Sequence, residues 1–129
     1  MEMIINEKQI QNVTALDAEA RYRHFIGVIS DWEEVWGLFD NGWALASTDE
    51  ERTVFPLWPA KEYATLCAVN EWHGYKEKSF SLDEMLDELL PSLQTDNILL
   101  GIFYTVKNRG VIQDVSQFIN DLEEELEKY

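Results

Sequence analysis

The sequence predicts an α+β fold, a mainly antiparallel sheet of about five strands (two β-hairpins plus an edge strand) packed by four or five helices. Three observations carry that reading. Asn41-Gly42 stands between two apolar, aromatic runs, VWGLF and WALAS, the strongest local signal for a hairpin turn. Amphipathic helical patterns flank the strand-like runs without regular strand–helix alternation, which argues against a doubly wound sheet. Hydrophobic residues make up 46% of 129 residues and aromatics 12%, enough for one real core and too much for disorder. The chain is therefore expected to form a single domain over residues 1–129, burying roughly two thirds of its unfolded surface.

Taken in order, Asn6 to Leu16 reads as a short helix with Ile10 and Val13 on one side. Asp17 is a good N-cap for a second helix reaching about Ser30. In it Tyr22, Phe25, Ile26 and Ile29 fall at i, i+3, i+4, i+7, leaving Glu19, Arg21 and Arg23 to the other faces. The stretch Val35 to Pro59 follows, holding Trp36, Trp43 and Trp58 of the five tryptophans. A two-residue turn at Asn41-Gly42 pairs Leu38 with Leu45 and Trp36 with Ser47. Trp36, Leu38, Trp43 and Leu45 then share one face, with Val35, Gly37, Phe39, Ala44 and Ala46 on the other.

Thr53 to Leu57 reads as a third strand, antiparallel to the second across a polar loop. Pro56 marks it as an edge strand, and Pro59 suits the first turn of a helix. That helix, AKEYATLCAVN, turns Tyr63, Leu66 and Cys67 inward, with Ala60, Ala64 and Ala68 allowing close contact. Glu71 to Lys76 is an aromatic-rich loop. Ser81 and Glu84 form a capping box before Leu82, Met85, Leu86, Leu89 and Leu90, and Pro91 should kink or stop that helix. Ile98 to Val106 is apolar on both alternating sets, as an interior strand is. Lys107 to Gly110 turns into a last strand, Val111 to Gln113. Asp114 or Ser116 caps a terminal helix that turns Val115, Phe118, Ile119, Leu122 and Leu126 inward, with Asp121 and Glu123 to Glu125 facing water.

The formal charge of −15 disfavours nucleic acid and anionic membranes as partners and favours a basic protein. One cysteine, Cys67, leaves no internal disulfide and suits a reducing compartment. The opening residues lack a secretory signal, and no apolar run approaches the length needed to span a bilayer, so the expected location is cytoplasmic.

No phosphate loop, dinucleotide fingerprint, zinc spacing or nucleophile elbow is present, so no catalytic residue, metal ligand or cofactor is assigned. Cys67 is a candidate nucleophile with His24 or His73 as base. It lies in a helix beside an apolar stripe, however, where a buried, inert thiol is the usual outcome. Acidic pairs one turn apart, Glu84/Glu88 and Asp83/Asp87, have no histidine beside them and read as a solvated face. The better candidates for a partner- or ligand-binding site are Trp58, Trp72, His73 and Tyr75, aromatics with polar tips around a Gly-containing loop.

The segments RYRHFIGVISDWEEVWGLFDNGWAL, VFPLWPAKEYATLCA and EWHGYKEKSFSLDEMLDELLP resemble a bacterial family of uncharacterised proteins, domain of unknown function 2750. The resemblance runs from about Arg21 to the C-terminus. It implies a stand-alone cytoplasmic bacterial protein and carries over no activity, substrate or catalytic residue. Two readings follow. One is a non-enzymatic module that binds a protein partner, for instance an immunity-type inhibitor of a basic toxin. The other is a small enzyme or ligand-binding protein with a pocket around Trp58, Trp72, His73 and Tyr75. A homodimer joined through its aromatic face is a third, plainer possibility.

Overall fold

A computed structural model describes residues 5–128. The fold is α+β, with six strands and five helices among the described residues. The strands are β1 (Glu34–Phe39), β2 (Ala46–Ser47), β3 (Thr53–Leu57), β4 (Lys76–Ser81), β5 (Leu99–Ile102) and β6 (Val111–Gln113). The helices are α1 (Glu7–Thr14), α2 (Ala18–Trp32), α3 (Lys61–Cys67), α4 (82–95) and α5 (Val115–Leu126). The segment 1–4 of the expected single unit, and residue 129, lie outside the described residues.

The helices form where local chemistry caps them. Asn6, Asp17 and Asp114 each accept a backbone N–H from three residues on, satisfying a donor that the first turn leaves free. Ser81 and Glu84 close the capping box in both directions. The α2 stripe is buried at Tyr22, Phe25, Ile26 and Ile29, and Phe25 packs on Phe118 of α5 at 6.0 Å between ring centres. Asp121, expected to face water, instead accepts the Tyr22 hydroxyl across this helix pair. In α3, Tyr63 and Cys67 turn inward as expected, but Leu66 remains 41% exposed. Ala60 is the N-cap of α3, so Pro59 stands one residue before the cap and outside the first turn.

Pro91 neither stops nor ends α4. The helix widens over Met85–Leu89 into i→i+5 hydrogen bonding and continues to Thr95. Proline removes one N–H and crowds the carbonyl four residues back, and a local π-helical turn is one way to absorb both. Met85 and Leu90 are fully buried, while Leu86 and Leu89 are only half-buried.

The sheet departs most from expectation. β1 pairs antiparallel with β4 along its whole length, from Glu34 opposite Ser81 to Phe39 opposite Lys76, and meets the following segment only at one bridge beside the turn. The chain reverses over Asp40, Asn41 and Gly42, with Phe39 opposite Trp43 and the Ala44 N–H donating to the Leu38 carbonyl at 2.8 Å. Only Asn41 has a positive φ, of 59°, so this is not a two-residue turn with both central residues left-handed. The extra loop residue moves Trp43 to the opposite face, because a one-residue slip exchanges the faces of a strand. Trp43 therefore lies over Gly37, beside Phe39 (5.3 Å), Phe55 (5.6 Å) and Phe80 (5.5 Å).

Four strands form a second sheet in the order β2-β3-β5-β6, antiparallel except for the parallel pair β3–β5. β3 is thus interior, not an edge. Its proline is tolerated because of where its missing N–H would point. Leu57 accepts from Phe103, on the β5 side, while Trp58 exchanges both hydrogen bonds with Trp36 on the other side. Backbone groups alternate, so Pro56 faces the same side as Trp58. It falls in the gap between β2, which pairs up to Val54, and the Trp36–Trp58 bridge that joins the two sheets. β5 ends sooner than the apolar run suggested, because Phe103 turns left-handed at φ 64°.

Around these sheets α2 and α5 pack together beside β5 and β6. α3 covers the face of the β1–β4 ribbon that carries Leu38 and Glu77, with the Thr65 hydroxyl donating to Glu77 at 2.7 Å. Arg21, expected on a polar face of α2, is 1% exposed. Its guanidinium donates to three carbonyls, those of Leu16 (2.5 Å), Phe103 (3.2 Å) and Arg109 (3.4 Å). Among the described residues no carboxylate forms an ion pair with it, and burial pulls its pKa down against the opposing pull of Asp17. It ties α1, β5 and the β5–β6 loop to one point. Among the described residues no helix is long and apolar enough to cross a membrane.

Candidate functional site

The four aromatic-loop candidates do not converge on one cavity. Trp58 has no exposed surface, and its indole N–H donates to the Tyr104 carbonyl at 2.9 Å. It meets Trp72 edge-on, 5.9 Å between ring centres, so it acts as a wall behind Trp72 rather than as a contact surface. Trp72 is half-buried in a short 3-10 turn (Asn70–Trp72), tilted against Tyr104 at 5.8 Å. His73 is exposed at the end of that turn, and Tyr75 is half-buried just before β4.

Trp72 borders a cleft of about 360 Å³ with Ser47, Cys67, Tyr104 and Arg109, and neither His73 nor Tyr75 lines it. Cys67 sits at its base, 5% exposed, with its thiol donating to the Tyr104 carbonyl at 3.3 Å. Burial pushes that thiol up to about 11, against a lowering hydrogen bond with Trp58, so it stays protonated near neutral pH and is a poor nucleophile. Arg109 at the rim meets Asp49 at 3.3 Å, and both side chains are well exposed, so the pair contributes little. Among the described residues no group of three or more His, Cys, Asp or Glu side chains is placed to hold a metal ion.

A larger depression lies on the face of the ribbon opposite α3. It encloses about 580 Å³ between Trp43, Phe55 and Phe80 on the sheet and Glu84, Glu88, Leu89 and Leu93 on α4, with Leu45 and Ile98 at its ends. Its floor is built by the register described above. Gly37 leaves the space in which the Trp43 ring lies, and a Cβ there would stand 2.9 Å from that ring. Phe80 comes from β4 opposite Val35. Lys78, opposite Gly37, places its ammonium 4.1 Å from the Phe39 ring centre and 5.6 Å from that of Trp43, showing that these π-faces already attract a cation from one side. The far wall is the first half of α4, where Glu84 of the capping box and the exposed Glu88 of the π-helical turn give it negative charge.

Sequence reasoning missed this groove because it missed β4. KEKSFS has one apolar residue in six, and its alternation of Lys76 and Lys78 with Glu77 and Ser79 carries no hydrophobic signal. Two cues were available. Gly37 interrupts an otherwise bulky strand, a mark of close approach. Phe80 immediately precedes the Ser81 cap, where an apolar residue often fixes the entry of the chain.

A family model described as a protein of unknown function (DUF2750) matches residues 22–122. The chain belongs to this family. The match begins in the α2 stripe and ends in α5, so DUF2750 spans every strand, the Trp72 cleft and the Trp43 groove. Among curated proteins and among solved structures, none gives a significant match.

Proposed function

We propose that this chain is a non-enzymatic binding module that takes a basic protein partner, and that the partner docks in the Trp43 groove. The observation that carries the reading is the pairing of an apolar aromatic floor with an acidic wall, on a chain of net charge −15. An amphipathic segment presenting leucine-like side chains beside a lysine or arginine complements both. Its apolar residues meet Trp43, Phe55 and Leu93, and its cation meets Glu88. A second copy of this chain is a poor occupant, since it would bring further negative charge to an acidic wall. The buried, protonated Cys67 suits a reducing, cytoplasmic setting.

The test uses a fluorescent peptide of alternating leucine and lysine as the probe. Saturable binding is expected that weakens with added salt, as exposed charge pairs are screened. Glu88→Lys reverses an exposed charge without touching the core, and should weaken binding by about tenfold or more, roughly 1.4 kcal/mol. Equal affinity of the variant, or equal affinity of wild type for a leucine–glutamine analogue, would overturn the proposal.

A further inference from the structure

A third depression, of about 380 Å³, adjoins the Trp72 cleft and shares Cys67, Tyr104, Thr105 and Val106 with it. It is bordered by Leu16 after α1, Tyr63 and Leu66 of α3, Phe103, Val106 and Lys107. Two features set it apart from an ordinary surface dip. Leu16, Leu66 and Val106 are 37%, 41% and 64% exposed, three of the six exposed large apolar side chains among the described residues, and all three border this one cleft. Tyr63, which lines it, is 2% exposed, and its hydroxyl has no hydrogen-bond partner. A buried phenol without a partner carries a desolvation cost that native structures seldom leave standing. It stays protonated at neutral pH, with burial, aided by Glu62, pushing it up to about 12, so what it lacks is an acceptor.

We propose that this cleft is a binding site for a small amphiphilic monocarboxylate, its hydrocarbon body covered by Leu16, Leu66 and Val106 and its carboxylate accepting the Tyr63 hydroxyl. Lys107 at the border makes no ion pair among the described residues and supplies the positive charge that a carboxylate needs. The volume is in the range of small-ligand sites, and the lining is mixed, with Thr14, Thr105, Lys107 and Asn108 beside the apolar side chains, as an amphiphile needs. The site is separate from the Trp43 groove and shares no lining residue with it.

Octanoate is the probe, followed by isothermal calorimetry and by the shifts of labelled methyl groups of Leu16, Leu66 and Val106. Saturable binding is expected at 0.15 M salt. Tyr63→Phe, which keeps the ring and its 4.8 Å contact with Phe103, should weaken it at least tenfold. Lys107→Ala should weaken it severalfold and leave octanol binding unchanged. Because Tyr63→Phe removes an unpaired buried hydroxyl, the ligand-free variant should be at least as thermostable as wild type, which separates a binding defect from a folding defect. The absence of saturable octanoate binding up to millimolar concentration would overturn the proposal. So would unaltered octanoate affinity in Tyr63→Phe.

Discussion

Two regions of this molecule are held by opposite means. At the Arg21 corner, one buried guanidinium gathers the carbonyls of Leu16, Phe103 and Arg109, and the backbone is forced into tight approaches. Phe103 is left-handed, and Gly110 lies so close to the Ile102 carbonyl that a Cβ there would stand 2.2 Å from it. At the Trp43 groove four aromatic rings meet one another, with the Lys78 ammonium over two of them and, among the described residues, no buried hydrogen-bond network, and the same surface is left open to solvent on one side. The corner specifies geometry, and the groove offers adhesive surface. A left-handed aromatic residue costs on the order of 1–3 kcal/mol and persists only where its surroundings over-determine it, as the Arg21 bond and the Tyr63 contact do here.

If that contrast is right, changes at the corner should cost stability and changes at the groove should cost binding. The largest effect is expected for Arg21→Ala. It leaves buried carbonyls without a donor and opens a cavity, and should lower the unfolding free energy by about 3–5 kcal/mol, read by urea denaturation. Gly110→Ala comes next, at roughly 1–3 kcal/mol, because the clashing atom is backbone and cannot swing away. Gly37→Ala should cost about 1 kcal/mol or less, since the half-exposed Trp43 ring can yield. It should nevertheless shift tryptophan fluorescence and weaken the leucine–lysine peptide. Equal stability losses in the two glycine variants would erase the contrast.

The smallest effect concerns pH. His24 sits half-buried against Phe103 at 6.2 Å, and burial lowers its pKa below the ordinary 6.5. The unfolded chain then binds the proton more readily than the folded one. This histidine's contribution is therefore fully present above pH 6.5 and is lost as pH falls from there through the depressed folded value. His24→Gln should flatten the decline of thermal midpoint between pH 7 and pH 5, relative to wild type measured alongside. Parallel declines would place His24 outside the corner's energetics.

Much of the architecture was legible in the sequence. The caps Asp17, Ser81/Glu84 and Asp114, the α2 stripe, strand β3 with its exact span of Thr53 to Leu57, and the β5–β6 turn all follow from local signals, and all form. What escaped had non-local causes. β1 chose β4, a strand with almost no hydrophobic pattern, over its neighbour in sequence, and the three-residue turn placed Trp43 on the other face. Within the 40–42 turn positive φ falls at Asn41 alone, so Gly42 is not held there by its backbone, and a Cβ on it meets open space. Arg21 reads as a polar-face residue by its type, although it stands four and eight residues before Phe25 and Ile29, in one row along the buried side. At the candidate site the aromatic loop was visible, but the cleft that Trp72 borders is not lined by His73 or Tyr75. The groove could not be read without knowing which strand lies beside β1.

The proposed docking surface is tested most directly by mapping amide and indole shifts in the labelled protein as the leucine–lysine peptide is added. The account predicts that perturbations concentrate at Trp43, Leu45, Glu88, Leu89 and Ile98 and leave Trp72, His73 and Arg109 unmoved. Perturbations centred on Trp72 and His73 instead, with the Trp43 indole unshifted at saturation, would contradict it.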